Sequence, residues 1–517
     1  MKKLKCLMFG LLLSLFLCDG AKILVLFPVP STSHGILGDN MVKHLLDGGH
    51  EVTYITPYVS KQPSHPKLRI IDVSDNRLYN DKMLNLKNIM SGAVNLKNNE
   101  VVFENLVNVA ALTLENQNVQ NLLKDRTYNF DVIIGEYMFT YLYSSLPAVL
   151  QCPFIWFSTT ELHSMILDPM QGPLNPAYVS DYRVAQIAPY SFEVRVKMLW
   201  ALLKELYQRN GKFYDKEEEI FMKLIAPIVK EHGRPVPNYN DLKYNASLLL
   251  ENSQVAIGSA IPLPPNCKYI GGYHIPDSIQ PLPEDLKKIM DNADNGVIYF
   301  SMGSILKSKD LPDGIKEGLL KLFGGLKQTV LWKFEDQLPG MPKNVHIMQW
   351  APQQSILAHP NMVLFITHGG LLSLTEAVHF AVPVIVIPVF ADQFLNANQA
   401  QRKGYAIKVD LTFYLHKDLK MALGKVLSDL PKYAERVKEL SVAYHDKPMK
   451  PKDALNFWVN HVVKTKGAPH LKSVALQVPL YQRVYLDLIA VILVILIVLL
   501  KIFCLVTGKK SMKVKTN

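Results

Sequence analysis

The segment Trp350–Gln393, WAPQQSILAHPNMVLFITHGGLLSLTEAVHFAVPVIVIPVFADQ, decides the fold. Its apolar run Met362–Ile366 has the length and composition of a buried strand. Thr367-His368-Gly369-Gly370 follows, then a helical pattern from about Leu372 to Phe380. A second apolar run, Val382–Pro388, leads into Phe390-Ala391-Asp392-Gln393. Strand, glycine turn, helix and strand make a βαβ unit. The paired glycines let the backbone come close to a ligand. The free N–H groups and positive end of the following helix favour an anion there, typically phosphate.

The same rhythm continues outward. Gly296–Phe300 (GVIYF) is an earlier strand of the series and ends in Ser301-Met302-Gly303-Ser304, a small-residue loop suited to phosphate approach; Val330–Phe334 is the next strand. Near the N-terminus, Lys22–Phe27 (KILVLF) is a buried-strand pattern. The loop Pro28–Ser33, a helix from about Ile36 to Gly48 and the strand His50–Ile55 complete the opening βαβ of another doubly wound domain. Ligands in such sheets sit at the C-terminal ends of strands. Ser33-His34-Gly35 falls at that place, just before the helix. Phe130–Gly135 (FDVIIG) is a further strand, ending at Glu136. Ile261–Gly272 (IPLPPNCKYIGG) has three prolines and a glycine pair and reads as the linker between two patterned regions. Pro57–Leu123 carries no chemical motif.

Over its whole length and with fixed spacing, Trp350–Gln393 resembles the donor-binding signature of the UDP-glycosyltransferases, specifically the membrane-anchored animal branch that includes the UDP-glucuronosyltransferases. The GGLLSxxEA form looks like the invertebrate members. The resemblance implies a role for each matching residue. Trp350 stacks on uracil and Gln353 bonds the base or ribose. His368 donates to the diphosphate, where Gly370 and Ser373 present N–H and hydroxyl groups, and Ser301, Gly303 and Ser304 of the small-residue loop are counted with the donor-binding residues. Glu376 accepts from ribose hydroxyls, and Asp392 and Gln393 from sugar hydroxyls. Lys333 falls roughly where relatives carry an arginine near the pyrophosphate, but a lysine cannot make the bidentate fork. Leu372 stands where mammalian relatives often have Asn, which removes one phosphate contact.

The resemblance also implies a catalytic His in the first loop, so His34 is the expected general base. An acceptor hydroxyl needs a base as it attacks, and imidazole titrates in the right range. Glu136 stands where mammalian relatives pair an Asp with that His. It keeps the charge with one methylene more. Plain structural readings stand beside these. Ser373-x-x-Glu376 is also a capping box; Trp350 also suits a core, His34 a helix start with its ring bonded to backbone, and Glu136 a surface. Tyr137–Tyr214, rich in Tyr, Phe, Met and Leu and broken by Pro169, Pro173, Pro176 and Pro189, is expected to build the acceptor pocket and membrane-facing helices. Aromatics at that density serve cores as well as sites, so no acceptor residue is assigned.

The termini fix the setting. Lys2, Lys3 and Lys5, then Leu7–Leu17, then Cys18 and Gly20 have the layout of a secretory signal, a first membrane anchor being the alternative. Leu488–Val506 carries Lys501 as its only charge, and about 19 residues at 1.5 Å each reach roughly 28 Å, close to a hydrocarbon core. Lys509, Lys510, Lys513 and Lys515 follow, which makes the tail cytoplasmic and the bulk of the chain lumenal. Lys513 and Lys515 resemble a dilysine retrieval signal of the endoplasmic reticulum; ordinary positive-inside charge is the other reading. The net charge of +11 is spread along the chain and gathered at its ends, which suits a membrane surface rather than nucleic acid. Of the five cysteines, Cys152 and Cys267 are expected as buried thiols, with a disulfide between them as the alternative. Asn245-Ala246-Ser247 is the one glycosylation sequon.

The expected fold is therefore α/β: a GT-B arrangement of two facing Rossmann-like doubly wound domains plus a C-terminal transmembrane helix. The expected divisions are a signal at 1–20, an acceptor domain at 21–260, a linker at 261–273, a UDP-sugar domain at 274–440, crossover helices and stem at 441–485, a membrane helix at 486–506 and a tail at 507–517. The expected reaction is inverting transfer of a hexose, glucose favoured, from UDP-glucose or UDP-glucuronic acid to a small lipophilic acceptor. No cofactor or metal is expected, since the helix dipole and His368 can carry the phosphate charge. A homo-oligomer is compatible with the sequence. Epimerase or phosphorylase chemistry on the same architecture, and an inactive UDP-sugar-binding relative, are the competing classes.

Overall fold

The computed structural model describes residues 20–58, 64–79, 86–92, 99–172, 174–181, 183–304 and 306–513. The expected signal up to residue 19, with Cys6 and Cys18, lies outside them, as does Lys515. Residues up to Leu471 form one compact unit and Lys472 onward a second.

The first sheet has seven parallel strands: β1 (Lys22–Leu26), β2 (Glu51–Thr56), β3 (Leu68–Asp72), β4 (Val132–Tyr137), β5 (Phe154–Ser158), β6 (Leu248–Glu251) and β7 (Cys267–Tyr269), in the order β3-β2-β1-β4-β5-β6-β7. Parallel strands are covered on both faces, so nearly every residue of β1, β4 and β5 is buried. Helix α1 (Thr32–Asp47) packs Leu37, Met41, Val42 and Leu45 on one face of this sheet. It begins four residues earlier than its apolar pattern predicts. Ser31, Thr32 and Ser33 all suit a cap, and Ser31 takes that place, its carbonyl accepting from Gly35 N at 3.0 Å. His34 therefore lies in the first turn of α1 and not in the loop before it. Helix α2 (Phe192–Gln208) leaves Phe192, Trp200 and Tyr207 exposed. β7 lies inside the stretch expected as linker: Cys267 and Tyr269 pair with Leu249 and Glu251, so the first domain runs on to the prolines' far side. Cys152 and Cys267 are free and buried, as expected, and burial pushes the Cys152 thiol up to about 12.

The second sheet has six parallel strands: β8 (Val297–Ser301), β9 (Thr329–Lys333), β10 (Val345–Met348), β11 (Met362–Thr367), β12 (Val384–Val386) and β13 (Ala406–Lys408), in the order β10-β9-β8-β11-β12-β13. Helix α3 (Leu371–His379) connects β11 to β12, and α4 (Gln393–Arg402) leads to β13. Helix α5 (Pro451–Lys464) returns to the first domain, where Leu455, Val459 and Val462 join the core beneath α1. Asn456 Nδ2 donates to His44 O at 3.1 Å there. This is the crossover expected after residue 440.

In each sheet the strand order reverses at one point, between β1 and β4 and between β8 and β11. Adjacent strands whose connections leave in opposite directions open a crevice at their C-terminal ends. His34 and Glu136 fall at the first reversal; Gly303 and His368 fall at the second.

In the second compact unit, α6 (Leu486–Lys513) contains 22 residues, Leu486–Thr507, long and apolar enough to cross a membrane.

Candidate active site

One cavity of about 470 Å³ brings the predicted residues together. Its wall includes His34 from the first domain. From the second come Ser301, Gly303, Ser304, Trp350, Gln353, His368, Gly370, Ser373, Glu376, Asp392 and Gln393. Glu136 lies behind His34, 1% exposed.

His34 Nδ1 is hydrogen-bonded to Glu136 Oε1. The carboxylate accepts the Nδ1 proton, which leaves Nε2 as the basic atom of a ring that lines the cavity. The side chain of Glu136 is fully enclosed, and its second oxygen has no partner among the described residues. The surface reading of Glu136 is therefore excluded, and so is a His34 spent on backbone. Glu136 sits one residue before the end of β4.

Across the cavity, the β11–α3 turn is built as the glycines require. Gly369 has φ +87°, and a Cβ there would stand 2.6 Å from Val386 Cγ1. Gly303 has φ +87° as well, and its Cβ would fall 2.5 Å from the His368 ring. The Gly303 loop thus closes on the His368 imidazole because Gly303 carries no side chain. Helix α3 has Gly370 as its N-cap and no side-chain cap, so its first N–H groups are left for a ligand. Ser373 is the third residue of α3, not its cap, which removes the capping-box reading of Ser373 and Glu376. Burial, with Lys333 adding to it, pushes His368 down to about 4. The ring is neutral at physiological pH: it can donate a hydrogen bond to phosphate but supplies no charge, contrary to the expectation. Lys333 is the cation that lines the cavity, bonded at 2.7 Å to Glu335 Oε1.

Trp350 is 59% exposed at the cavity wall, so the core-indole reading fails. Gln353 Nε2 donates to Glu376 Oε2 at 2.6 Å and to Ser373 Oγ at 3.3 Å. Gln354 Nε2 donates to Glu376 Oε1 at 2.9 Å. Burial would push the Glu376 carboxyl up; contacts with His274, Gln353 and Gln354 outweigh it and hold the group below its ordinary value. Burial raises Asp392, with Asn396 and the nearby His34 pulling it back. Gln393 differs from expectation. Its Oε1 already accepts from Val389 N at 2.9 Å and Phe390 N at 3.1 Å, so it has an amide N–H to offer a sugar, not an acceptor. Leu372, where an Asn was the alternative, packs against the first-domain core.

The sequence named no residue on the acceptor side. Beyond the predicted residues, the structure lines the cavity with Ile36, Leu37, Met138, Phe139 and His163 from the first domain and Phe390 from the second. Phe139 stacks on His163 at 5.7 Å, and His163 Nδ1 accepts from Met165 N at 3.3 Å. No local pattern distinguishes these from core side chains; the fold alone gathers them. Gln354, next to a predicted residue, was also missed.

Residues 21–516 match the model of a family described as UDP-glucoronosyl and UDP-glucosyl transferase. The chain belongs to that family. The transferase is 32% identical over 480 residues to UDP-glucosyltransferase 2 of Dactylopius coccus, covering 92% of this chain and 90% of that protein. It is 29% identical over 508 residues to human UDP-glucuronosyltransferase 3A2, covering 94% and 93%. Among solved structures, the glycotransferase of kitacinnamycin overlays with a TM-score of 0.56 at 18% identity, over 86% of this chain and 99% of that one. TcCGT1 in complex with UDP overlays with a TM-score of 0.54 at 14% identity, over 86% and 100%. These overlays establish the GT-B fold of the transferase. Its membership makes it a UDP-sugar-dependent hexosyltransferase.

Proposed function

We propose that this enzyme moves a hexose, glucose in preference to glucuronic acid, from its UDP-sugar to a hydroxyl of a small lipophilic acceptor, with inversion at the anomeric carbon. The observation that carries this is the pairing of His34 with Glu136 on one wall of the cavity that the capless start of α3 enters from the other. His34 Nε2 takes the acceptor proton as the oxygen attacks. Glu136 holds the ring in one tautomer and stabilises the imidazolium as it forms. UDP leaves with its diphosphate against the N–H groups of α3, a hydrogen bond from His368 and the charge of Lys333. Trp350 stacks on uracil and Glu376 takes the ribose hydroxyls. Attack from the face opposite UDP inverts the centre, and no step calls for a metal.

Two supports favour glucose: the invertebrate form of the glycine stretch, and the insect relative named a glucosyltransferase. The apolar acceptor wall suits a lipophilic alcohol or phenol, as in detoxification or hormone conjugation. The apolar span Leu486–Thr507 and the lysines after it suit a single-pass anchor in the endoplasmic reticulum with a lumenal catalytic part, and Asn245 is exposed for glycosylation. The test presents the full-length protein with equal UDP-glucose and UDP-glucuronic acid and 4-nitrophenol as probe acceptor. Proton NMR of the product should show a β-glucoside formed from the α-linked donor. Retention of configuration, or UDP release independent of acceptor, would overturn the proposal.

A further inference from the structure

The dipeptide Tyr273-His274 lies between the two halves of the site, and neither residue belongs to a motif. His274 is buried, its side chain fully enclosed, and Nε2 stands 3.4 Å from Glu376 Oε1. Apart from that approach, neither ring nitrogen has a hydrogen-bond partner among the described residues. The backbone of the same residue is tied to the same cluster: Gln354 Nε2, which donates to Glu376, also reaches His274 O at 3.5 Å. Tyr273 faces the other way. Its carbonyl accepts from His44 Nε2 at 2.8 Å, and its hydroxyl donates to Leu37 O at 2.9 Å; both partners lie on α1, the helix that carries His34. The segment reaches this place because Gly271 and Gly272 precede it. A Cβ on Gly272, φ +94°, would stand 1.9 Å from Tyr444 Oη, and one on Gly271 2.7 Å from Ser253 N. The glycine pair is thus required by a close crossing, not by a slack linker.

We propose that His274 is a positioning residue for the donor: Nε2–H is held to the Glu376 carboxylate and fixes it for the ribose hydroxyls. This rests on the reading of Glu376 as the ribose acceptor. A carboxylate bonded only by two amides from one short helix can rotate toward them. The imidazole approaches Oε1 from the linker side and leaves Glu376 one orientation at the cavity wall. Because Tyr273 is anchored on α1, the register of the carboxylate is set from the domain that carries the base.

The test uses the full-length protein and calorimetric titration with two probes, UDP and 2′,3′-dideoxy-UDP. His274→Phe keeps the ring volume and removes the Nε2 approach to Glu376, while Nδ1 has no hydrogen-bond partner among the described residues to lose. It should weaken UDP about tenfold and change the dideoxy probe less than twofold. His274→Gln, whose amide nitrogen reaches the Nε2 position, should regain most of the loss. Should the Phe variant not fold, His274→Asn, whose amide falls short of that position, takes its place with the same expectation. Equal weakening of both probes, or unchanged UDP binding in a folded variant, would overturn the inference. Glu376→Gln separates the two readings. If it weakens UDP selectively while His274→Phe does not, only the role of His274 falls. If Glu376→Gln leaves UDP unchanged, the ribose reading falls with it.

Discussion

Replacing Glu136 by Gln removes one charge from the catalytic pair and almost nothing else. The carboxylate is fully enclosed, bonded to His34 through one oxygen and unpartnered at the other. If the amide oxygen faces Nδ1, the hydrogen bond survives but the imidazolium that forms in the transition state loses its counter-charge. Two unit charges about 4 Å apart at an effective dielectric near 20 interact by about 4 kcal/mol. At about 1.4 kcal/mol per decade that predicts a kcat lower by about three orders of magnitude. If the amide nitrogen faces Nδ1 instead, the ring is held in the wrong tautomer and the loss is at least as large. Folding should not suffer, because the substitution removes an enclosed charge with an unsatisfied oxygen, so Tm should hold or rise. The assay is UDP release from UDP-glucose with 4-nitrophenol, alongside calorimetric UDP binding and Tm. UDP affinity should be unchanged, since Glu136 lies on the acceptor side. A folded variant with kcat within about threefold of wild type would refute the role given to Glu136, and with it the reading of His34 as an oriented base.

Trp350→Ala should leave Tm within about a degree, because the indole is largely exposed, and weaken UDP about tenfold through lost base stacking; calorimetry and a melting scan check both. Gly303→Ala should lose UDP binding and lower Tm, since its Cβ would fall 2.5 Å from the His368 ring at a φ that penalises a side chain; an unaltered UDP affinity would contradict the enclosure of His368 by glycine. Stability should depend on Glu161 in a definite direction. Burial first, against hydrogen bonds from Ser253 and Ser259, pushes its carboxyl up to about 7. Between an unfolded value near 4.5 and that folded value the native state binds the extra proton, so stability falls as pH rises through this window. Relative to wild type, Glu161→Gln should therefore gain Tm between pH 5 and pH 8, and a constant difference would show the group is not titrating there.

How far the sequence was legible depended on whether a feature was local. Strand Met362–Thr367, its glycine turn and α3 were readable because apolar runs, glycines and helical spacing lie in one stretch. The start of α1 was not, because Ser31, Thr32 and Ser33 all suit one cap and the local pattern does not choose among them. The short strand β7 was hidden by the prolines and glycines around it; it pairs with β6, whose position in space the sequence does not state. Site residues carried by the donor stretch all reached the cavity. Their states did not follow from residue type: enclosure makes His368 a neutral donor, and backbone N–H groups occupy the oxygen of Gln393. His274 was invisible because nothing near it in the chain marks it; Met138, Phe139 and His163 fall inside the stretch Tyr137–Tyr214 expected to build the acceptor pocket, but no local pattern singles them out. They become functional only when two sheets place their strand ends toward one cavity.

The central claim is that the UDP diphosphate sits where the Gly369-Gly370 turn enters α3, facing His34. A structure of the protein soaked with UDP tests it most directly. The account predicts phosphate oxygens within hydrogen-bonding distance of the backbone N–H groups at the start of α3 and of His368, with uracil stacked on Trp350 and His34 Nε2 open toward the β-phosphate. Uracil or ribose in place of phosphate at the α3 start, or UDP bound anywhere outside this cavity, would contradict it.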